Sequence, residues 1–341
     1  MPISLHYLFK RIVFSLAVII GVITVAYLIT YIAPVDPAYV WAGRPRGPGA
    51  SEAIEKAREY LGLDKPVYIQ VINYISRFLH GDLGVSLKYK VPVVEIIWRG
   101  LTATLELLFI AYLIGVPIGV YIGVKAALHR GSWFDGFTQI FSITMANMPA
   151  FWLGVAFIAV LSSIGFGGYG RVDEYLEITT GFHPITGFYL LDSLLQLNIP
   201  VFIDVLLRLL PPAIVVATYP LGLAARLARA MVSEAFHEEY VRSAISLGLP
   251  RRMVVWRYAF RGIVPAFTQV MGLAFAYSLV DALVVEIVFG REGIGKIVYD
   301  AIPANDYPLV IGVVITVAVF YVVANTIADI VQATIDPRVR L

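Results

Sequence analysis

Long apolar runs alternate with polar segments along this chain. Stretches without Asp, Glu, Lys or Arg cover residues 12–33, 107–124, 136–170, 209–225, 262–280 and 307–328. An α-helix needs about 20 consecutive apolar residues to cross the hydrocarbon core of a bilayer. Each run therefore predicts one span, and the pattern predicts an all-α membrane protein with six transmembrane helices.

Three of these runs need a closer interpretation. The third run is long enough for two spans, but a turn between them would expose backbone polar groups to lipid, so we expect one span and a glycine-rich exit at 165–170. The fifth run is expected to continue past Asp281 toward Phe289. The first run follows Lys10 and Arg11, as the apolar core of a signal peptide does, but it is long and lacks a small-residue cleavage site. We therefore expect it to be retained.

The composition agrees with a membrane location and excludes several kinds of functional site. Of the 341 residues, 59% are hydrophobic and 15% are charged, which is more apolar than a soluble domain of this size. The formal net charge of +2 gives no basic field that would attract nucleic acid. The chain has no cysteine, which excludes disulfides, thiolate metal sites and cysteine nucleophiles.

The charges of the short loops predict an orientation. Residues 226–261 carry seven basic and three acidic side chains, whereas 171–208 and 281–306 each carry two basic and five acidic ones. Because Lys and Arg favour the cytoplasmic side, 226–261 is expected inside the cell. The chain is therefore expected to be a multi-pass protein of the cell (cytoplasmic) membrane. Because six spans return the chain to the side on which it started, both termini are expected in the cytoplasm.

This topology suggests three parts of the chain. Residues 1–33 form the N-terminus and the first span, 34–100 an external helical region, and 101–341 the core with spans two to six. A compact external region suits contact with a delivered partner, and a solvated cap with no partner is the alternative.

Two helices are predicted in the external region. Ser51 is expected to cap a helix that reaches Tyr60 and ends at Gly62. A second helix is expected after Pro66. Its apolar face is formed by residues at helical spacing, which are Val71, Ile72, Ile75, Phe78 and Leu79.

Residues 290–297 contain two glycines separated by four residues and followed by Lys296, which fits a phosphate-binding loop. However, Ile297 stands where a hydroxyl should reach magnesium, and the segment is predicted to be external. We interpret it as a glycine-rich turn between the fifth and sixth spans.

Other chemical motifs are missing from the sequence. The five histidines are scattered and lack metal-ligand spacing, and no Gly-x-Ser-x-Gly elbow is present. We therefore expect no catalytic residue, no metal and no enzymatic activity in this chain.

The most informative segment is the basic loop, residues 226–261. We expect one helix, a break at Gly248 and Pro250, and a second helix over 251–261. Ser233 is expected to cap the first helix, with one face formed by Phe236, Tyr240, Ala244 and Leu247. Two interpretations fit this pattern equally well. The helix is a lever moved by a soluble motor, or it lies in the interface with its arginines on lipid phosphates.

Motifs in this loop resemble those of ABC importer permeases. They are Arg226-x-x-Arg229, Ala244-x-x-x-Gly248 and Leu249-Pro250-Arg251-Arg252. Other stretches resemble more narrowly the first permease subunit of the dipeptide and oligopeptide (peptide/nickel/sugar) importers, namely APVDP at 33–37, GDLGVS at 81–86, TLEL at 104–107, PAFWLG at 149–154, VEIVF at 285–289 and DPR at 336–338. The loop of the wider family begins Glu-Ala-Ala, where this chain has Arg242-Ser243-Ala244, and segment 171–197 is longer than in many members.

The resemblance implies a type I ABC importer permease fold and ATP-driven import of short peptides, with oligosaccharides as the alternative cargo. It implies as partners a second homologous permease subunit, two cytoplasmic ABC ATPase subunits, an external solute-binding protein and membrane lipid, but no nucleic acid. ATP and Mg would be bound by the ATPase subunits and no cofactor by this chain. The residues that it implies for coupling to the ATPases are Glu239, Tyr240, Arg242, Ala244, Gly248, Leu249, Pro250, Arg251 and Arg252.

Several polar residues lie within or near membrane depth, where charge is tolerated mainly toward a bundle interior or a wet cavity. These candidates for a translocation pathway are Asn147, Pro149, Gln269, Asp281, Glu286 and Asn325. Asp281 and Glu286 could instead lie at the outer headgroups. Asn147 and Gln269 could instead form hydrogen bonds between helices.

Two functions from other classes remain as rivals. An ion-driven secondary transporter would favour an inverted repeat and a carboxylate pair at the midplane, and neither is evident. A membrane-bound enzyme is disfavoured because nucleophile and metal motifs are missing.

Overall fold

A computed structural model describes residues 5–31, 35–165 and 167–335. The regular elements in these ranges are all helical, which confirms the predicted all-α class. They are α1 (Leu5–Tyr31), α2 (Pro37–Trp41), α3 (Ala50–Leu61), α4 (Val67–Leu79), α5 (Val93–Leu128), α6 (Trp133–Asn147), α7 (Ala150–Ser163), α8 (Glu174–Thr180), α9 (Tyr189–Leu195), α10 (Ile199–Ala235), α11 (Glu239–Ser246), α12 (Arg251–Met253), a π-helical turn (Val254–Ala259), α13 (Phe260–Val288), α14 (Ile294–Ala304) and α15 (Tyr307–Ile335). The DPR motif at 336–338 and part of APVDP at 33–37 lie outside the described residues.

Several helices are long and apolar enough to cross a membrane. Four pass this test alone, and they are Val93–Leu128, Ile199–Ala235, Arg251–Val288 and Tyr307–Ile330. The bent pair α6 and α7 makes a fifth span if it is counted as one, and α1 contains a shorter apolar helix, Val13–Ile29. A multi-pass membrane protein is thus confirmed, while the count of six stays a prediction.

The third apolar run is broken in the middle. Helix α6 ends at Asn147 and α7 begins at Ala150, with an angle of 97° between them. Met148 between them is extended, at φ −72° and ψ 126°. The ring of Pro149 disfavours a helical conformation at the preceding residue, and proline cannot donate a backbone hydrogen bond. The run is therefore a broken pair of helices, which makes one span if the two are counted together.

The two helices predicted before the second span are present, with different details. Helix α3 ends at Gly62, whose φ of +69° is left-handed, as predicted. The prediction that Ser51 caps this helix was wrong, because Gly49 occupies the N-cap position. Helix α4 follows Pro66, and its predicted apolar face is buried at Val71 and partly buried at Ile75 and Phe78. The other buried residues of α4 are Gln70 and Tyr74, while Ile72 and Leu79 of the predicted face are exposed.

The described chain forms two compact units. The large unit contains residues 104–291 and 323–335, and the small unit contains residues 5–31, 35–103 and 292–322. The site of interest is built on the large unit, whose core is formed by α5, α10 and the helix that follows α11.

Glycines allow the helices of the large unit to pack closely. Gly115, Gly119 and Gly123 recur every four residues along α5 and face the backbone of α10. A methyl group added to Gly115 would lie 2.7 Å from the carbonyl oxygen of Ala217, which is closer than van der Waals contact permits. Such small-residue stripes let membrane helices approach each other without a hydrophobic driving force. Helix α10 is therefore tightly seated against α5.

Candidate functional site

The basic loop forms a short helix that projects from the end of α10. Helix α10 continues through Ser233 to Ala235, so the prediction that Ser233 caps the next helix was wrong. Helix α11 begins instead at Glu239, after the extended residue Glu238. The reason is that the apolar side of α10 continues into the core as far as Ala235, so the helix gains from burying one more turn.

One face of α11 is inserted into the core of the large unit. Val241 and Ala244 are buried and belong to the same cluster as Val124 of α5, Val232 of α10 and Val255 of the π-helical turn. The predicted face was correct for Ala244. Of the other residues predicted to share that face, Phe236 is partly buried, Tyr240 is 44% exposed and Leu247 is 78% exposed.

Helix α11 ends at the predicted break. Gly248 has φ +72°, and its N–H donates to the carbonyl of Ile245 at 2.9 Å. Leu249 then donates back to the carbonyl of Ala244 at 3.3 Å, which closes the left-handed end that favours glycine. Pro250 is extended and directly precedes the next helix.

The second helix of the loop was predicted to end at Arg261, but it continues well beyond that residue. Residues Arg251–Met253 lead through the π-helical turn into α13, and the whole helix Arg251–Val288 is continuous. A displacement of the break at Gly248 is therefore applied to the end of a helix that crosses the membrane.

Two contacts fix this segment to the membrane helices. The hydroxyl end of Tyr240 packs against Gly262 of α13, where an added methyl group would lie 3.2 Å from the ring carbon Cζ and closer still to the hydroxyl oxygen. Burial raises the pKa of Tyr240, so this hydroxyl stays protonated at neutral pH. Arg251 donates from Nη2 to the carbonyl of Leu128 at 3.1 Å and thereby satisfies the C-terminal end of α5.

The opposite face of the segment is accessible. Exposed charged residues surround apolar ones, and the set consists of Glu239, Arg242, Arg251, Arg252, Ile245, Leu247 and Met253. An exposed apolar patch with a charged rim is typical of a protein–protein contact surface. The segment thus has one face held against the core of the large unit and an opposite, exposed face that is suited to contact with a partner.

An ion pair holds the neighbouring loop. Arg229 of α10 donates from both Nε and Nη2 to the carboxylate of Asp135, which is buried at the start of α6. The same carboxylate accepts the N–H of Gly131 at 3.0 Å. The upstream Arg226-x-x-Arg229 motif therefore joins α10 to the turn that precedes α6.

A buried charge cluster lies elsewhere in the large unit, and sequence reasoning missed it. Oε2 of Glu106 accepts hydrogen bonds from Arg171 Nη2 at 3.1 Å and from Arg291 Nη2 at 2.6 Å. Oε1 of Glu106 accepts the N–H of Leu190 at 2.8 Å. Burial lowers the pKa of Arg291 to about 10, so its guanidinium is still charged at neutral pH.

Two of these residues come from motifs that the sequence made visible. Glu106 belongs to TLEL at 104–107, and Arg291 belongs to the false phosphate-binding pattern at 290–297. The useful signal was a lone carboxylate at the edge of an apolar run together with a lone arginine at the end of another. Such residues in lipid tend to pair with each other.

The suggested pathway residues lie on α6, on the break that follows it and on α13. Asn147 is exposed and donates to the carbonyl of Ile143 in its own helix at 2.8 Å, while Pro149 forms the break. Gln269 and Asp281 are partly buried on α13. Glu286 is fully buried, and its backbone carbonyl accepts the N–H of Arg291 at 2.9 Å.

The positions of the histidine and carboxylate side chains decide whether the described residues could bind a metal ion. In the ranges that the structure describes, no group of three or more His, Asp or Glu side chains is arranged to hold a metal ion. The buried carboxylate of Glu106 is instead held by arginines.

Comparison with known proteins gives the chain a family. Residues 115–341 match the family described as binding-protein-dependent transport system inner membrane component, and residues 4–108 match the N-terminal part described for the same systems. The probable D,D-dipeptide transport system permease protein of Escherichia coli (strain K12) is 39% identical over 94% of both chains.

Two further relatives cover almost the whole length. The dipeptide transport system permease protein of Escherichia coli (strain K12) is 33% identical, and the di/tripeptide transport system permease protein of Pseudomonas aeruginosa (strain UCBPP-PA14) is 35% identical. Each match covers 98% of this chain and 99% of the relative. The chain therefore belongs to the inner-membrane components of binding-protein-dependent transport systems, as an ABC importer permease of the peptide transporter family.

Proposed function

We propose that this chain is the transmembrane permease subunit of an ATP-driven importer of short peptides. In this proposal it crosses the membrane six times with both termini in the cytoplasm, residues 34–100 lie outside, and 101–341 form the permease core. An external solute-binding protein delivers the cargo, a second homologous permease completes the pathway, and two cytoplasmic ABC ATPase subunits bind ATP and Mg.

The observation that carries the proposal is the anchoring of α11. Its buried residues Val241 and Ala244 are inserted among α5, α10 and the π-helical turn, while Leu247 and Arg242 face outward. A partner that held the outward face would therefore move the ends of two membrane helices together. This geometry favours the lever over a helix that only lies on lipid, because the apolar side of an interfacial helix would face acyl chains rather than the protein core.

The coupling surface is assigned to both sides of the break. We assign Glu239, Tyr240, Arg242, Leu249, Arg251 and Arg252 to contact with the ATPase or to support of that contact, while Ala244, Gly248 and Pro250 set the shape of the lever. When the ATPases close on ATP, they pull this segment, and the continuous helix that starts at Arg251 transmits the movement into the membrane.

We assign the cargo on two grounds. The three relatives described above are named as permeases for D,D-dipeptides, dipeptides and di/tripeptides. The similarity extends over nearly the whole chain and includes the membrane helices that would surround the cargo. The wall of the pathway is assigned to Asn147, Pro149, Gln269, Asp281 and Glu286, where it needs only weak contacts because the binding protein selects the cargo.

The test is reconstitution of the complete complex in vesicles with its binding protein. We expect a dipeptide-loaded binding protein to stimulate ATP hydrolysis and dipeptide uptake in the parent complex. Leu247→Asp or Gly248→Trp should reduce the stimulation at least about tenfold, since losing a central interface contact costs about 2 kcal/mol. Leu197→Asp is the matched control, because Leu197 is 83% exposed but lies in the segment predicted to be external.

The outcomes separate the alternatives. Unchanged stimulation in both α11 variants would refute the coupling role. Uptake of oligosaccharides and not of dipeptides would replace the cargo, and uptake driven by an ion gradient without ATPase subunits would replace the mechanism.

A further inference from the structure

The small unit contains an apolar cleft between α1 and α15. The cleft has a volume of about 430 Å³, and its walls are aliphatic, with Val18, Val25 and Ile29 on α1 and Ile311 and Val314 on α15. Val18 and Ile29 are 11 positions apart, which corresponds to about 16 Å along a helix. This is close to half of the roughly 30 Å hydrocarbon core of a bilayer, so the cleft has the depth of one leaflet.

A larger cavity of about 750 Å³ continues from the same place, since Ile311 lines both spaces. Its walls change character away from the cleft. Aromatic side chains, including Tyr27, Trp41 and Tyr74, stand beside charged ones. Tyr and Trp rings are typical of the level of lipid headgroups, where one end of the ring is apolar and the other is hydrated.

Two arginines and one carboxylate lie in the wall of this cavity. Its wall contains Asp36, Arg58 and Arg77, and Arg58 is paired with Asp36. Arg77 is paired through Nε with Asp82, while its Nη2 lies at the cavity wall beside Gly84 and takes no part in that hydrogen bond. The orientation of the Arg77 side chain is fixed by Asp82, which does not line the cavity and whose Oδ2 accepts a hydrogen bond from Nε at 2.7 Å.

Asp82 also fixes the backbone next to this arginine. Its Oδ1 accepts the N–H of Gly84 at 2.8 Å, and Gly84 has φ +90°. A methyl group at Gly84 would lie 3.6 Å from Nη2 of Arg77, so the terminal part of the guanidinium stands over this glycine at the cavity wall. The GDLGVS motif at 81–86 thus directs one guanidinium toward the cavity.

A hydrogen bond connects the membrane helix to this wall. Tyr27 of α1 donates to Oε1 of Gln70 at 2.9 Å, and Gln70 donates to the carbonyl of Lys65 at 2.6 Å. The rings of Tyr27 and Tyr74 pack with centroids 5.6 Å apart. These contacts consequently fix the position of the cleft relative to the charged cavity.

We propose that the cleft and the cavity together bind one membrane lipid with an anionic headgroup. Its acyl chain lies between α1 and α15, and its phosphate faces Arg77. An arginine whose terminal nitrogen faces the end of an apolar groove between membrane helices offers a lipid phosphate a charged hydrogen-bond donor. A short peptide could also offer a carboxylate to Arg77, but it would leave the leaflet-deep aliphatic cleft unfilled.

The test uses the full-length chain, purified with the subunits that accompany it and stripped of lipid by detergent exchange. Phosphatidylglycerol or phosphatidylcholine with identical acyl chains is added back, and native mass spectrometry counts the lipids retained. We expect phosphatidylglycerol to be retained about tenfold better, which corresponds to about 1.4 kcal/mol. Arg77→Gln should abolish this preference, and Arg77→Lys should retain part of it.

A second variant tests the cleft and does not depend on Arg77. Val25→Trp should fill the groove and reduce retention of both lipids, because Val25 is 57% exposed and lines the cleft. The matched controls are Ile140→Trp, at an apolar site that is 70% exposed on α6, and Arg130→Gln, at another exposed arginine. Both controls should behave like the parent chain.

Three results would overturn the proposal. They are equal retention of the two lipids by the parent chain, a preference that survives both Arg77→Gln and Val25→Trp, and displacement of the lipid by a dipeptide. The last result would make the cavity a cargo site. Transport by the parent complex is measured separately, so loss of lipid selectivity can be distinguished from failure of the proposed import function.

Discussion

The guanidinium of Arg291 donates a 2.6 Å hydrogen bond to the carboxylate of Glu106, which lies 185 positions earlier in the chain. Arg171 and the N–H of Leu190 bind the same carboxylate. One buried side chain thus joins α5, the end of the long helix Arg251–Val288 and the segment between α7 and α10. Because a buried charge is stable only while it is paired, this cluster is expected to be sensitive to neutralisation.

Glu106→Gln should destabilise the chain strongly. It leaves two buried guanidinium groups without their shared counter-charge, and breaking a buried ion pair typically costs about 3–5 kcal/mol. The measurement is the thermal unfolding midpoint of the purified protein in detergent. Glu52→Gln is the control, because Glu52 forms an exposed pair with Lys56 and such pairs contribute at most about 1 kcal/mol. Equal midpoints for the two variants would contradict a structural role for the cluster.

Gly115→Ala should destabilise the packing of α5 on α10. The new methyl group would lie 2.7 Å from a backbone oxygen that cannot move aside, and overpacking costs about 1–3 kcal/mol. Gly136→Ala should instead increase the free energy of unfolding. Gly136 is also helical, and an added methyl group there would meet no described atom within 4 Å, so a gain of up to about 1 kcal/mol in helix propensity is expected. Unfolding measurements that gave both variants the same sign would contradict this account.

The contact between Tyr240 and Gly262 can be tested as a pair. Gly262→Ala should lower stability by about 1 kcal/mol, because the methyl group takes the place of the Tyr240 hydroxyl. In the double variant with Tyr240→Phe, the hydroxyl is absent and most of that loss should be recovered. A double-mutant cycle on unfolding free energy measures the coupling. Additive effects would mean that the two residues do not touch.

The sequence was sufficient for features that depend on local chemistry. A run of about 20 uncharged residues has to be helical in lipid, so the apolar runs marked where the long helices lie. Gly248 and Pro250 likewise marked the break, because one favours a left-handed end and the other disfavours helix in the residue before it. The bend at Pro149 follows from the same rule, although the third run was interpreted only as one span with a glycine-rich exit.

Features that depend on tertiary packing were beyond the sequence. Helix α11 has only eight residues and carries apolar side chains on both sides, so periodicity did not reveal that Val241 is buried while Leu247 is exposed. The pairing of Glu106 with Arg291 depends on how distant helices pack. A single sequence therefore contains the two charges but not their contact.

The pair of Arg77 and Asp82 should make the small unit sensitive to acid. Arg77 donates a hydrogen bond to Asp82 and holds the pKa of that carboxyl below its usual value. Because the folded pKa is the lower one, the pair contributes stability above about pH 4, and this contribution is lost as the pH falls further. Asp82→Asn should remove the pair's contribution to the pH dependence of the unfolding midpoint. Glu59→Gln, at an exposed carboxylate on α3, is the control, and identical pH curves for Asp82→Asn and the parent would contradict the role of this pair.

The proposed orientation can be read by labelling, because the chain has no cysteine of its own. A cysteine that replaces Leu247 should react with a membrane-impermeant maleimide only in inside-out vesicles. A cysteine that replaces Leu197 should react only in right-side-out vesicles. Both positions are about four-fifths exposed in the structure, so sidedness rather than burial decides their reactivity.

The same labelling experiment tests the partner surface. Addition of the ATPase subunits should protect the cysteine at 247 and leave the one at 197 unaffected, since only the former lies on the proposed coupling face. Reaction of the cysteine at 247 from outside would reverse the topology and remove the lever from the reach of cytoplasmic ATP. Full reactivity of that cysteine in the assembled complex would show that the ATPase binds elsewhere, because a side chain at the centre of a stable interface is excluded from solvent.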